Sequence, residues 1–207
     1  MIYEIDLLNE DDVRFLNFET DSFEYVDGSV SNPSEIKKNL MCYFGNEYQV
    51  TSQHLQQIVH KKLYNVYALH KISQMYFLKY NEEHKYGYHL DNFPIGGVHA
   101  HYSMTIFLND DYAGGELVIK VGDVETVHKP KAGKAILYST GLWHKVNPVT
   151  KGTRNVVVCW LESIITDSFM RSWIIDFGRY IEAIPDNGGE ALEHLRLNLL
   201  RQYGTNV

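Results

Sequence analysis

Between residues 74 and 163 the chain is a succession of short β-branched and aromatic runs: QMYFLKY, SMTIFLN, GELVIKV, VETVHK, KAILYS and RNVVVCWLE. Turn residues separate them: Pro94-Ile95-Gly96-Gly97, Asp110-Asp111, Gly114-Gly115, Gly122-Asp123, Gly133 and Gly152. Runs this short, bounded this way, read as strands. So many short strands with regular turns restrict the fold to a sandwich or a barrel. The Gly122-Asp123 pair between IKV and VET predicts a tight hairpin.

Helical patterns flank this block. Asn9 is a candidate N-cap, with Glu10, Asp11 and Asp12 where the helix dipole favours acids, and Leu8 and Val13 as a hydrophobic staple. Asn32 with Pro33 and Glu35 predicts a second helix start, ended by Gly45. Leu55, Ile58, Val59, Leu63 and Val66 recur at helical spacing and predict a third helix. After Glu162, Phe169, Trp173, Phe177, Tyr180 and Ile184 form a stripe that breaks at PDNGG. A last helix carries Leu192, Leu195, Leu199 and Tyr203 and ends at Gly204. Both stripes are expected to pack into the core. The fold class expected is α+β, one domain over 1–207. Residues 1–73 form a mainly helical support, 74–163 the β core and 164–207 the C-terminal helices.

The formal charge is −7 and there is no Lys/Arg run, so a phosphate-tracking surface and a nucleic-acid partner are not expected. The start, MIYEIDLLNEDD, has neither a basic segment nor a long apolar one, so no signal peptide and no membrane span are expected. Cys42 and Cys159 lie far apart without zinc-finger spacing, which fits free thiols in a cytoplasmic protein.

The chemistry gathers around YGYHLDN, residues 86–92. In a strand, His89 and Asp91 point to one side and can converge on one ion. A third ligand is available in His144, 55 residues on (144 − 89), in STGLWHKVNPV. Two His and one carboxylate on one face of an octahedron suit a non-haem Fe(II) oxygenase. His99-Ala-His101 is a competing pair with the same spacing but no nearby carboxylate; substrate contact or simple exposure beside Gly96-Gly97 is the other reading. Arg154 opens an apolar strand, where an unpaired cation costs free energy. Its partner is either an acidic side chain or a bound dicarboxylate. 2-Oxoglutarate, chelating iron at one end, would reach Arg154 with the other.

The segments YGYHLDN, TIFLNDDYAGGELVI and KPKAGKAILYSTGLWHKVNPVTKGTRNVVVCWLES together resemble the Fe(II)/2-oxoglutarate dioxygenases of the prolyl 4-hydroxylase type, with the bacterial PKHD-type hydroxylases as the nearest branch. DGSVSNPSEIKKNL and LRLNLLRQYG resemble that branch's N-terminal segment and helical tail, so the likeness covers nearly the whole chain. It implies a double-stranded β-helix (jelly-roll) core with N-terminal helices and a C-terminal helical extension. It implies His89, Asp91 and His144 as iron ligands and catalytic residues, with Arg154 and Tyr80 binding the cosubstrate. Gly114-Gly115-Glu116 matches a structural turn.

The implied cofactors are Fe(II), 2-oxoglutarate and O2, with ascorbate in addition. The implied reaction hydroxylates an unactivated C–H bond, of a prolyl or other amino-acid residue in a peptide or protein, and releases succinate and CO2. The alternatives are a free amino-acid or small-molecule hydroxylase of the same mechanism, or a non-catalytic cupin-like metal-binding module. Nucleic-acid demethylases resemble this pattern but carry a second Arg six residues after the first, where this chain has Trp160. The loop with Pro94, Gly96, Gly97, His99 and His101 departs from relatives and is expected to border the substrate. Trp143 is expected to wall the site or pack in the core, and Gly87 to let its strand bend. Tyr86, Tyr88 and Asn92 are expected around the ligands or on the substrate side.

Overall fold

The computed structural model describes residues 1–92, 94–185 and 189–205. These form fifteen strands and four α-helices. Strand β1 (Ile2–Asp6) leads into α1 (Glu10–Asp21), which Asn9 caps by accepting from the Asp12 amide while the Asp12 side chain accepts from the Asn9 amide. After β2 (Val26–Asp27), β3 (Lys37–Lys38) and β4 (Leu40–Cys42) comes α2 (Asn46–Leu63). Then follow β5 (Leu69–Ile72), β6 (Tyr76–Tyr80), β7 (Lys85–His89), β8 (Tyr102–Phe107), β9 (Ala113–Gly114) and β10 (Leu117–Val121). The remaining strands are β11 (Val124–His128), β12 (Lys134–Ser139), β13 (Trp143–Val146), β14 (Val149–Lys151) and β15 (Arg154–Ser163). Helices α3 (Ser168–Glu182) and α4 (Glu190–Tyr203) close the chain.

One antiparallel sheet of eight strands runs β1-β12-β8-β15-β6-β4-β2, with β5 also paired to β15. A second, of five strands, runs β11-β10-β13-β7-β3. Alternation along β15 shows how the large sheet divides its faces. Val157, Cys159 and Leu161 join a core with Leu16 of α1 and Leu55, Val59 and Leu63 of α2. Val156 joins a second core with Leu78 and Tyr80 of β6, and with Leu117, Ile119 and Val146 of the small sheet. Helices therefore cover one face of the large sheet, and the small sheet packs on the other. The β10–β11 hairpin turns at Gly122-Asp123 as expected, with Gly122 at φ +60°.

Several expectations need correction. No helix follows Pro33. Asn32 instead accepts from the amide and hydroxyl of Ser34 in a local turn, and the following residues pair as β3 and β4. Gly45 does not end a helix but precedes α2 as its N-cap residue. The first third also contains β1, whose Tyr3 and Ile5 are buried. The aromatic stripe of α3 is not core: Phe169 and Tyr180 are each 73% exposed and Trp173 48%, while Ile174, Ile175 and Gly178 take the buried side. On α4, Leu195 and Tyr203 are exposed, and Leu199 and Leu200 pack beside Ile165 and Ile174. The break at PDNGG falls partly on residues 186–188, outside the described residues. No helix among the described residues is long and apolar enough to cross a membrane.

Candidate active site

Strands β7 and β13 are antiparallel neighbours in the small sheet, and His144 faces His89 across them. Asp91 lies two residues beyond His89. Its Oδ1 is 3.8 Å from His89 Nε2 and 3.7 Å from His144 Nε2. One donor atom from each of the three side chains lies within 4.8 Å of the others, and they form the only such group among the described residues. Donors about 2.1 Å from a metal and at right angles sit about 3 Å apart, so the two histidine–carboxylate separations are within about 1 Å of the spacing an ion needs.

The surroundings fix which atoms face inward. Nδ1 of His89 bonds the Gly87 carbonyl and Nδ1 of His144 the Leu142 carbonyl, both at 2.9 Å. Each Nδ1–H therefore donates to backbone, and each Nε2 keeps its lone pair for the centre. Burial, then the neighbouring His144, pushes His89 down to about 4, so its ring is neutral at pH 7. Tyr86 stacks on the His89 ring at 3.6 Å between centroids, and Asn32 donates to the Tyr86 hydroxyl. Asp91 Oδ2 accepts from the Ser103 hydroxyl at 2.6 Å and from the Trp160 indole N–H at 2.8 Å. One carboxylate oxygen is thus anchored and the other is left facing the histidines.

Arg154 lies in the same cavity, about 530 Å³, with Tyr80, Tyr138 and the three clustered residues. It is 1% exposed, and its Nε and Nη2 have no hydrogen-bond partner. No carboxylate lies within 4.0 Å of it among the described residues. Its guanidinium sits 5.0 Å from the Tyr80 ring centre and 5.2 Å from that of Phe107. Tyr80 pairs with Arg154 across β6 and β15, and burial pushes its hydroxyl up to about 12. An acidic side chain is therefore not the partner of Arg154 here. A buried cation without an anion is costly, and a dicarboxylate entering this cavity would satisfy it. The donor set and this orphaned guanidinium both fit iron with 2-oxoglutarate.

The other sequence candidates lie elsewhere. His101 accepts from the Ser163 amide at 3.0 Å, and the His99 amide donates to Glu162; neither histidine belongs to a ligand cluster. Leu90, Asn92 and Ile95 line the cavity, whereas Pro94, Gly96, Gly97, His99 and His101 are not among its lining residues. Trp143 is neither a wall nor core: it is half exposed, over a shallow depression beside Tyr88. Gly87 sits where the β7–β13 register shifts, three steps from Tyr86 to His89 against two from His144 to Val146, so the strand is irregular there as a bend requires. A Cβ there would stand 2.9 Å from the Ile36 Cβ, so the glycine admits β3. Ser103 and Trp160 were missed as partners of Asp91. Trp160 is six residues after Arg154 on one strand, so parity alone puts both on the cavity face.

A family model described as the 2OG-Fe(II) oxygenase superfamily matches residues 75–162. A PKHD-type hydroxylase of Alteromonas mediterranea is 32% identical over 193 residues, covering 86% of this chain and 79% of that protein. The PKHD-type hydroxylase YbiX of Escherichia coli is 31% identical over 228 residues, covering 98% and 99%. Among solved structures, a Pseudomonas putida prolyl-4-hydroxylase aligns with a TM-score of 0.58 at 21% identity, covering 78% of this chain and 92% of that one. A Trichoplax adhaerens prolyl hydroxylase aligns with a TM-score of 0.58 at 15% identity, covering 77% and 82%.

Proposed function

We propose a substrate and a division of labour for this chain, which belongs to the PKHD-type hydroxylases of the 2OG-Fe(II) oxygenase superfamily. It is an oxidoreductase, an Fe(II)/2-oxoglutarate hydroxylase, and its family implies Fe(II), 2-oxoglutarate and O2. We read the two sheets as a double-stranded β-helix within a single domain. His89, Asp91 and His144 hold the iron, and Arg154, with Tyr80 beside it, receives the far carboxylate of 2-oxoglutarate. The substrate is a prolyl or other amino-acid residue in a peptide, and the products are succinate, CO2 and the hydroxylated residue.

The observation that carries this reading is one cavity holding both an imidazole-imidazole-carboxylate set and a buried, unpaired guanidinium. When bound, iron with 2-oxoglutarate and O2 supplies the oxidative decarboxylation and the oxygen that enters the C–H bond. The protein's own residues bind and orient. Backbone carbonyls hold both histidines as Nε2 ligands, and Ser103 and Trp160 hold the carboxylate. Tyr138, set edge-on to His144 at 5.0 Å, and the apolar residues beneath it limit water around the centre. Leu90, Asn92, Ile95, Tyr76 and Trp160 line the same cavity and border the substrate.

The test is anaerobic binding of Fe(II) and then 2-oxoglutarate, followed by succinate release and mass spectrometry for a product gaining one oxygen, on proline-bearing peptides. His89→Ala and Asp91→Ala should lose the metal, whereas His99→Ala should keep it. Retention of full iron affinity by the first two, with loss in the third, would sink the assignment.

A further inference from the structure

The same cavity holds a second cation for which the reading above has no use. Lys37, on β3, lines the cavity together with Ser31, Asn32 and Pro33 just before it. It pairs in register with Tyr86, and its ammonium lies 5.1 Å from the centre of the Tyr86 ring. That ring in turn stacks on His89. Lys37 is thus one aromatic ring away from the candidate metal centre. Its side chain donates to the Ser31 hydroxyl and has no carboxylate within 4.0 Å among the described residues. Lys79, Lys134 and Lys145, by contrast, each meet an acidic side chain. Asp27, an acid of the same segment, accepts from the Ser29 amide, and its charge and that of Asp91 reach the ammonium only through space.

We propose that Lys37 reads the substrate, pairing with a carboxylate that the substrate carries close to the carbon to be hydroxylated. The inference rests on the hydroxylase reading above. Two cations at different depths of one cavity match two anions. Arg154, almost fully buried, suits the far end of the cosubstrate, and Lys37, half-buried nearer the opening, suits a group that arrives later. Burial pushes the ammonium down to about 8, which leaves it mostly protonated at neutral pH. A single point charge with one hydroxyl beside it matches a carboxylate rather than a phosphate, which calls for several donors. The acidic chain as a whole also disfavours polyanions. The carboxylate could belong to an acidic residue flanking the target in a peptide, or be the α-carboxylate of a free amino acid.

Binding to the Fe(II)- and 2-oxoglutarate-loaded enzyme, measured anaerobically by calorimetry, separates these sources. The probes are acetylated, amidated peptides with a central proline flanked by Glu or by Gln, and L-proline against L-prolinamide. One carboxylate member should bind about tenfold or more tightly than its amide partner. A preference among the peptides identifies a side-chain carboxylate, and a preference for proline identifies the α-carboxylate. Lys37→Met should erase the ratio, Lys37→Arg should restore much of it, and Lys37→Glu should reverse it when Lys replaces Gln in the peptides. Affinity for 2-oxoglutarate serves as the folding control for each variant. Equal binding within both pairs, a ratio that survives Lys37→Met, or no binding of any carboxylate probe overturns the inference. Failure of the unaltered protein to bind 2-oxoglutarate would instead defeat the reading on which it rests.

Discussion

Arg154→Met should make the ligand-free protein more stable while weakening its response to 2-oxoglutarate. The guanidinium is 1% exposed, with Nε and Nη2 unpaired. Each buried unsatisfied donor costs about 1–3 kcal/mol, and an uncompensated buried charge adds to that. Against this stand the contacts with the Tyr80 and Phe107 rings, worth about 0.5–2 kcal/mol together, which the variant gives up. Methionine fills similar space with no polar atom, so the net change is a gain of about 1–4 kcal/mol. For a chain of this length about 1 kcal/mol moves the melting temperature by about 2–4 °C, so the gain should be several degrees. In the unaltered protein, 2-oxoglutarate at a hundred times its dissociation constant should add about 2.7 kcal/mol, and at the same concentration much less in the variant, which keeps only the chelating end. Scanning calorimetry under nitrogen, with Mn(II) in place of iron, reads both effects. The reasoning is refuted by a ligand-free variant that melts below the unaltered protein, or by one that 2-oxoglutarate stabilises as much as it does the unaltered protein.

Three further outcomes follow from the same geometry. Ser103→Ala and Trp160→Phe each remove one anchor of Asp91 Oδ2 and should weaken metal binding about tenfold; the double variant should lose more than the product of the two, and an unchanged Mn(II) affinity in the double variant would argue against the anchoring role. His101 is held down at about 4, first by burial and then by Arg171, so the unfolded chain binds the extra proton between about pH 4 and 6.5. Its contribution is full above pH 6.5 and lost as the pH falls towards 4, at most about 3 kcal/mol. Urea unfolding at pH 5 and 7 should show His101→Gln less acid-sensitive than the unaltered protein. Gly87→Ala drives a methyl into Ile36 and should cost about 1–3 kcal/mol, with Ile36→Ala in the same chain relieving most of it; additive losses in denaturation would count against a steric cause.

What the sequence made legible follows from where each signal resides. His89 and Asp91 are readable from their local spacing, although β7 ends at His89 and Asp91 lies beyond it, and Arg154 from a cation in an apolar run; the structure brings all three into one cavity. The helix expected after Pro33 fails because the start signal is local too, whereas the partners of β3 and β4 are Tyr86 and Phe77, far along the chain. The alternation of Tyr3, Ile5 and Leu7 is a strand signal that the mainly helical reading of residues 1–73 passes over, and its partner β12 lies more than a hundred residues away. For α3 the helical spacing was right and the chosen face wrong. Periodicity reveals that a stripe exists, not which neighbours cover it, and here Gly178 admits Arg196 on the opposite side. The roles of Ser103 and Trp160 depend on the direction of one carboxylate, which no spacing encodes.

The two oxygens of Asp91 belong, in effect, to different layers. Oδ2 is tied to β8 and β15 of the large sheet, while Oδ1 faces histidines carried by β7 and β13 of the small one. Apart from chain connections, apolar packing among residues such as Leu78, Ile119 and Val146 joins these layers. An ion shared by the three side chains would therefore act as a rivet between sheets, closing a loop of more than fifty residues as a cross-link does. Chelation would then do more than silence chemistry. It would release the small sheet to open on its own, so that amides of β7 and β13 exchange early while those under the helical layer stay protected.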